Sequence, residues 1–322
     1  MTRKLLNRRQ FSARCAAFGL SLPALNAMSA APAPAQVPAS GAASKPPTRG
    51  VKLPDGTAVP PLGQGCWHLG QGRHPQAIEE EALRTGISLG MTLIDTSGNY
   101  GDGRSEQFLN HVIAGQRDHI YLVSKVEGNQ VSGDGIARAC AASLARLGTG
   151  YLDLYLLHWP IPSTQFPGVV AAFEKLRAEG KIRAWGVSNF NTNQMEDLFN
   201  VPDGHRCATN QVPYSLNRRQ IERDLLPWSR QHNLPVMAYS PLGGDNSLVV
   251  SDRTLAHVGA SHGCSAAAVA LAWVMRSGRV IAIPESGSPA HVKDNAVAQA
   301  IVLTPQDLQT LNAAFPGPFG AT

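Results

Sequence analysis

The sequence predicts an α/β fold: a closed (β/α)8 TIM barrel, with an N-terminal β-hairpin ahead of it and an extra C-terminal helix behind it. Three observations predict it. Short apolar runs alternate eight times with helix-length segments, as in a parallel sheet whose crossovers are helical. The alternation occupies about 270 residues, the size of a barrel of eight such units. An Asp, a Tyr, a Lys and a His lie at or just beyond the C-terminal ends of these runs, and in a parallel barrel those ends converge on the face that carries active sites.

Each element has its own warrant. Residues 36–49 are rich in Pro, Ala and Ser and read as a linker. Val51–Val59 reads as two short strands around Asp55-Gly56, a hairpin turn. The first barrel strand is expected near Leu62–Gly65 and its helix near Gln76–Leu89. Thr92–Asp95 is the second strand, with a helix near Ser105–Ile113. Ile120–Lys125 is the third, followed by an Ala-rich helix, Asp134–Leu147, with Asp134 as N-cap. Leu152–His158 is the fourth, and its helix, Gly168–Glu179, closes at Gly180. Ile182–Val187 precedes a helix that starts at Thr192. Ala208–Val212 precedes Ile221–Gln231. Val236–Tyr239 precedes a longer insert and then Ser265–Met275. Val280–Ile283 precedes Pro289–Ala298, and Pro305–Ala314 is the extra helix. A doubly wound open sheet is the competing architecture. It needs a Gly-rich turn running from strand straight into helix, and Gly63-Gln-Gly65-Cys-Trp-His-Leu-Gly70 has neither the spacing nor the helix.

Composition fits a globular chain: 43% hydrophobic and 16% charged. The net charge of +5 is local. Five of the 28 basic residues (Arg3, Lys4, Arg8, Arg9, Arg14) lie in residues 1–35 without an acid, which leaves 23 basic against 23 acidic residues. Nothing in that balance points to nucleic acid. Residues 1–35 read as an export signal instead. Arg8-Arg9, then Phe11, resembles the twin-arginine motif, a weakly apolar Cys15–Met28 follows, and Ala33-Pro-Ala35 offers small residues for cleavage. The expected domains are therefore a signal peptide, 1–35, a linker, 36–49, and the barrel, 50–322. The expected partner is the twin-arginine export machinery and the expected location the periplasm; the alternative is a basic extension on a cytoplasmic protein. No run reaches the roughly 18 apolar residues of a membrane span. Cys15, Cys66, Cys140, Cys207 and Cys264 show no paired spacing, so neither a metal site nor a redox dithiol is indicated, and free thiols are expected. The neutral remainder, without a long apolar surface stripe, favours a monomer.

The four polar residues form a chemical set. Reducing a carbonyl by hydride transfer needs a proton donor at the developing alkoxide. Tyr100 serves if a cation stabilises its phenolate. Lys125 is that cation, an opposite charge that lowers the Tyr pKa. Asp95 holds Lys125, and His158 donates a hydrogen bond to the substrate oxygen. Singly, each has a plainer reading: a loop aromatic, a solvated Lys, a capping Asp, a core His. Together, at strand ends, they make a site. Tyr121-Leu-Val-Ser-Lys125 also matches the Tyr-x-x-x-Lys pattern of short-chain dehydrogenases. That pattern works on a helix; on a strand the pair lies about 13 Å apart, at ~3.3 Å per residue, so Tyr121 is not the acid. P-loop and HExxH motifs are absent from the sequence.

Leu93-Ile-Asp-Thr, Tyr100-Gly, Val123-Ser-Lys, Asp153-Leu-Tyr-Leu-Leu-His-Trp-Pro160, Gly186-Val-Ser-Asn-Phe190, Asn210-Gln211 and Ala238-Tyr-Ser-Pro-Leu242 together resemble the aldo-keto reductase family, from about Leu53 to Phe315. The finer pattern is similar to bacterial members that reduce methylglyoxal or diketogluconate. The resemblance implies a catalytic tetrad of Tyr100, Lys125, Asp95 and His158. It implies that Ser188, Asn189 and Gln211 hold the nicotinamide carboxamide, that Tyr239 stacks on the ring, and that Ser240 and Leu242 line the pyrophosphate. Trp67 and Trp159 would wall a pocket for a small carbonyl substrate, and Ser286 and Asn295 would meet the adenosine. Glu285 and His291 stand where the family usually has Lys and Arg to bind the NADP 2′-phosphate. An acid there binds ribose hydroxyls or repels a dianion, so the cofactor is NADP(H) or NAD(H) with a weakened preference for NADP. Export adds a corollary: the cofactor travels prebound. Two alternatives remain at this stage: a cofactor-binding regulatory or scaffold barrel with little turnover, and a sugar or alcohol dehydrogenase running in the oxidative direction.

Overall fold

The computed structural model describes residues 50–245 and 247–318; the expected signal and linker lie outside the described residues. A hairpin opens the chain, β1 (Val51–Lys52) pairing antiparallel with β2 (Ala58–Val59). Then come β3 (Gln64–Gly65), α1 (Gln76–Ser88), β4 (Leu93–Asp95), α2 (Arg104–Ile113), β5 (Tyr121–Val126), α3 (Gly135–Leu147), β6 (Leu152–Leu157) and α4 (Phe166–Ala178). The second half holds β7 (Ile182–Ser188), α5 (Thr192–Phe199), β8 (Asn210–Pro213), α6 (Leu225–Gln231), β9 (Val236–Tyr239), α7 (Arg253–Ser261), α8 (Ala266–Met275), β10 (Val280–Ile283), α9 (Pro289–Val297) and α10 (Pro305–Ala314).

β3 to β10 form one parallel sheet in sequence order. It closes because β3 meets β10: Leu62 bridges Ala282, Gly65 bridges Glu285, and the Gly63 amide donates to the Ala282 carbonyl at 2.8 Å. A β-carbon at Gly63 would lie 2.8 Å from the Leu93 carbonyl oxygen, so the strand approaches β4 only without a side chain.

Alternation along each strand sorts the side chains. On β5, Tyr121 and Val123 pack in the cluster with Leu93, Leu154, Leu156, Met237 and Ile281, while Leu122 and Val126 pack in the cluster that holds the α2, α3 and α4 side chains. Val51, Leu53 and Val59 of the hairpin join the first cluster and close the barrel floor. Tyr121 therefore sits at the floor and Lys125, four residues on, at the opposite rim, as the strand rise requires.

Three expectations change. The helix expected over Ile221–Gln231 is a 3-10 turn, Gln220–Glu222, followed by α6, because the Asp224 carboxylate caps the Leu225 amide at 2.6 Å and starts a new helix there. The insert after β9 contains α7, whose Asp252 carboxylate accepts from the amides of Thr254 and Leu255; that cap and the buried Leu255 and Val258 were readable signals. Asp134 does stand before α3, but with ψ of 14° its side chain caps nothing, since capping needs extended backbone. Cys66, Cys140, Cys207 and Cys264 are free thiols, and no described helix is long and apolar enough to cross a membrane alone.

Candidate active site

Register builds the centre of the site. β4 pairs with β5 so that Asp95 lies opposite Val123, two residues before Lys125, and both side chains are buried at the rim. The Lys125 Nζ donates to Asp95 Oδ1 at 2.7 Å, to the Thr96 carbonyl at 2.8 Å and to the Tyr100 hydroxyl at 3.0 Å. An ammonium has three protons, so all are used, and the desolvated cation is compensated. Asp95 Oδ2 accepts from Gln211 Nε2 at 2.8 Å. The Tyr100 loop folds tightly: Gly101, Asp102 and Gly103 have φ of 57°, 57° and 86°, and β-carbons at the two glycines would meet Gln71 and Arg146.

Electrostatics follow from burial and these contacts. Burial dominates at Tyr100 and pushes its hydroxyl above the ordinary tyrosine range; Lys125 pulls the other way without winning. The expected lowering by Lys125 is present but outweighed, so Tyr100 keeps its proton, as an acid must. Burial works against the Lys125 charge, yet Asp95 and Tyr100 hold it above the usual lysine range. Burial also pushes the Cys66 thiol well up, so it is no nucleophile. Tyr121 is raised too, first by burial, and stands at the wrong end of the strand for the site.

His158 follows β6. Its ring meets Tyr100 edge-on at 5.7 Å between centroids. Its Nδ1 is hydrogen-bonded to the Glu127 carboxylate, with Ser97 Oγ at 3.5 Å. Glu127 escaped the sequence reading, although it stands just past the end of β5, the position that singled out the others.

A cleft of about 710 Å³ opens above Tyr100 and His158. Trp67 and Trp159 line it and are half exposed, at 54% and 50%. Ser188, Asn189, Gln211, Tyr239, Ser240 and Leu242 line it too. Ser188 Oγ donates to the Gln211 carbonyl at 2.8 Å, Asn189 Nδ2 to the His158 carbonyl at 3.1 Å, and the Tyr239 hydroxyl to Asn189 Oδ1 at 2.9 Å. Asn189 and Ser240 adopt left-handed backbone, with φ of 65° and 48°, which turns the chain sharply off β7 and β9.

At the other end of the cleft lie Glu285, Ser286 and His291. Glu285 does not point into open solvent: its carboxylate accepts from the His68 amide at 3.0 Å and pairs with His68 Nδ1 at 2.9 Å. Asp245 stands 3.9 Å from His68 Nε2 and 4.0 Å from Arg73. Glu79, nearly fully buried, lines the same end, with Oε1 unpartnered. Ser286 Oγ is occupied in a turn with Ser288. Asn295 is buried on α9 and is not among the residues lining the cleft; of the residues the resemblance singles out for the cofactor, it is the one the cleft does not include.

The Aldo/keto reductase family profile matches residues 61–315. Methylglyoxal reductase YeaE of Escherichia coli is 46% identical over 268 residues, 82% of this chain and 94% of that protein. An aldo-keto reductase of Mycobacterium sp. (strain KMS) is 32% identical, covering 83% of this chain and 93% of its own length. Among solved structures, an aldo/keto reductase from Klebsiella pneumoniae in complex with NADP and acetate superposes with a TM-score of 0.81 at 44% identity, over 84% of this chain and 96% of that one. An aldo-keto reductase from the same organism in complex with NADPH gives 0.80 at 44%, over 85% and 97%.

Proposed function

The chain belongs to the aldo/keto reductase family, and from that premise we propose which residues perform its reaction and on what. It is a nicotinamide-dependent oxidoreductase that reduces aldehydes and ketones to alcohols. Tyr100 is the general acid, and the observation that carries this is the Lys125 ammonium 3.0 Å from its hydroxyl. Burial keeps the proton on Tyr100 until a substrate oxygen develops charge; Lys125 then balances the phenolate left behind. Asp95 keeps Lys125 charged and in place. His158, across the cleft floor from Tyr100, is the second group facing the substrate oxygen.

The cleft fits a nicotinamide cofactor. When bound, the reduced nicotinamide supplies the hydride. Tyr239 offers its ring face, and Gln211, its Nε2 committed to Asp95, keeps Oε1 for a carboxamide N–H. Ser188 and Asn189 are tied into the same wall. We assign both NADPH and NADH as usable, because Glu285 and Asp245 place negative charge at the adenosine end, beside His291 and Arg73. The substrate class is small 2-oxoaldehydes such as methylglyoxal: the identity to a methylglyoxal reductase supports it, as do the two indole walls. Export by the twin-arginine route, with cofactor prebound, rests on Arg8-Arg9 and the segment after them; fractionation that finds only full-length cytoplasmic protein overturns it.

The test is steady-state reduction of a carbonyl panel led by methylglyoxal, with NADPH and NADH in parallel and Tyr100→Phe as control. Turnover that survives in the variant removes Tyr100 from its role. Absence of turnover by folded protein with either cofactor favours the scaffold reading.

A further inference from the structure

Parallel pairing of β5 and β6 sets Val126 against Leu157, and the His158 amide donates to the Val126 carbonyl at 2.9 Å. The next residues, Glu127 and His158, are therefore brought side by side as the two strands leave the barrel. The Glu127 backbone is held in a 3-10 turn: its amide donates to Gln130 Oε1 at 3.3 Å, and its carbonyl accepts from the Gln130 amide at 2.9 Å. The His158 carbonyl is held by Asn189 Nδ2. Both partners of the carboxylate–imidazole contact are thus fixed from their backbones.

The protons in this contact are determined by chemistry. An ionised carboxylate only accepts. Ser97 Oγ, the other neighbour of Nδ1, donates its proton to Asn99 Oδ1 at 2.8 Å, so toward Nδ1 it too can only accept. Both neighbours require a proton on Nδ1. A neutral imidazole then has a bare Nε2, and Nε2 is the ring nitrogen left for the cleft, where His158 is a lining residue. The groups facing the ring are Tyr100, Trp159, Ser97 and Glu127.

We propose that Glu127 is a positioning residue that fixes the His158 proton on Nδ1 and so sets what Nε2 does in the reaction. With the ring neutral, Nε2 accepts a hydrogen bond from a hydroxyl, the Tyr100 O–H or the product alcohol. It donates to a carbonyl oxygen only after taking up a second proton from solvent, whose charge the Glu127 carboxylate balances. His158 is thereby a proton-carrying partner of Tyr100 and not a permanent donor. Glu127 also lines a second cavity, of about 210 Å³, beside Lys125 and apart from the substrate cleft that His158 lines.

This inference rests on the proposed reductase reading, and the experiment separates the two. Glu127→Gln and Glu127→Asp are made in the full chain. The His158 ring is read by 15N NMR without substrate, and methylglyoxal reduction is measured as separate kcat and KM. Wild-type turnover tests the reductase reading; the ring spectrum tests the inference whether or not turnover is seen. We expect Nδ1 protonated in wild type and in Glu127→Asp. In Glu127→Gln the neutral amide can still accept from Nδ1 through its oxygen but no longer balances a second proton on the ring, and kcat falls about tenfold or more with KM within about twofold, while Glu127→Asp recovers most of the loss. A wild-type ring protonated on Nε2 alone overturns the proposal. So does a Glu127→Gln kcat indistinguishable from wild type.

Discussion

Lys125 serves two masters, the buried Asp95 charge and the Tyr100 hydroxyl, and the two roles separate in a double variant. Lys125→Met removes the donor from Asp95 Oδ1, leaving a buried carboxylate supported by Gln211 Nε2 alone. Breaking a buried pair from one side costs about 3–5 kcal/mol. Asp95→Asn combined with Lys125→Met removes both charges, so most of that stability returns. Catalysis does not return. At the observed 3.0 Å, an ammonium–phenolate attraction with an effective dielectric of ~20 is worth about 5 kcal/mol, or roughly four decades of rate. Urea unfolding measures the first quantity; loss of reduced-nicotinamide absorbance with methylglyoxal measures the second. Activity that recovers in step with stability refutes the catalytic assignment of Lys125 and makes it a scaffold residue. A single Lys125→Met variant as stable as wild type refutes the buried ion pair.

Other outcomes follow from the same contacts. Tyr100→Phe keeps the packing but removes the acid, and kcat should fall by about 10²–10⁴ with the unfolding midpoint nearly unchanged. Glu285→Lys removes the partner of His68 and reverses the charge at the adenosine end; the Kd for NADPH, followed by fluorescence, should fall about tenfold, roughly 1.4 kcal/mol, with that for NADH unmoved or raised. A wild-type chain that already prefers NADPH strongly contradicts the reading of Glu285. Burial raises the Glu222 carboxyl, but hydrogen bonds from Arg219 and Tyr214 and the charges of Arg219 and Arg276 outweigh it and leave it below the ordinary range. Its folded pKa is depressed, so its stabilisation is full above the ordinary carboxylate range and disappears as pH falls through the folded value. Glu222→Gln should therefore cost roughly 2 kcal/mol at neutral pH and little in acid, which unfolding curves at the two pH values resolve.

Much of this protein was legible in its chain because the signals are local. Apolar strands of a parallel sheet read as continuous runs, and Asp95, Lys125 and His158 stand at the ends of theirs; strand direction alone brings them to one rim. The interval between Tyr121 and Lys125 excluded Tyr121 by strand rise, and the fold places it at the floor. Other features depend on where strands sit beside one another. Glu127 meets His158 only through the β5–β6 register, and Gln211 reaches Asp95 across the barrel, 116 residues away in sequence. Glu285 reads as a free charge in the chain, yet closure of β10 on β3 hands it to His68. The balance at Tyr100 is of the same kind: an opposite charge nearby is readable as a residue type, but the burial that outweighs it is a property of the packed rim. Sequence alone determined the barrel and its rim, because both rest on period and direction within each strand. Only the tertiary structure decided the burial around Tyr100 and the hydrogen-bond partners of Glu127 and Glu285, because those are set by desolvation and by contacts between strands distant in the chain.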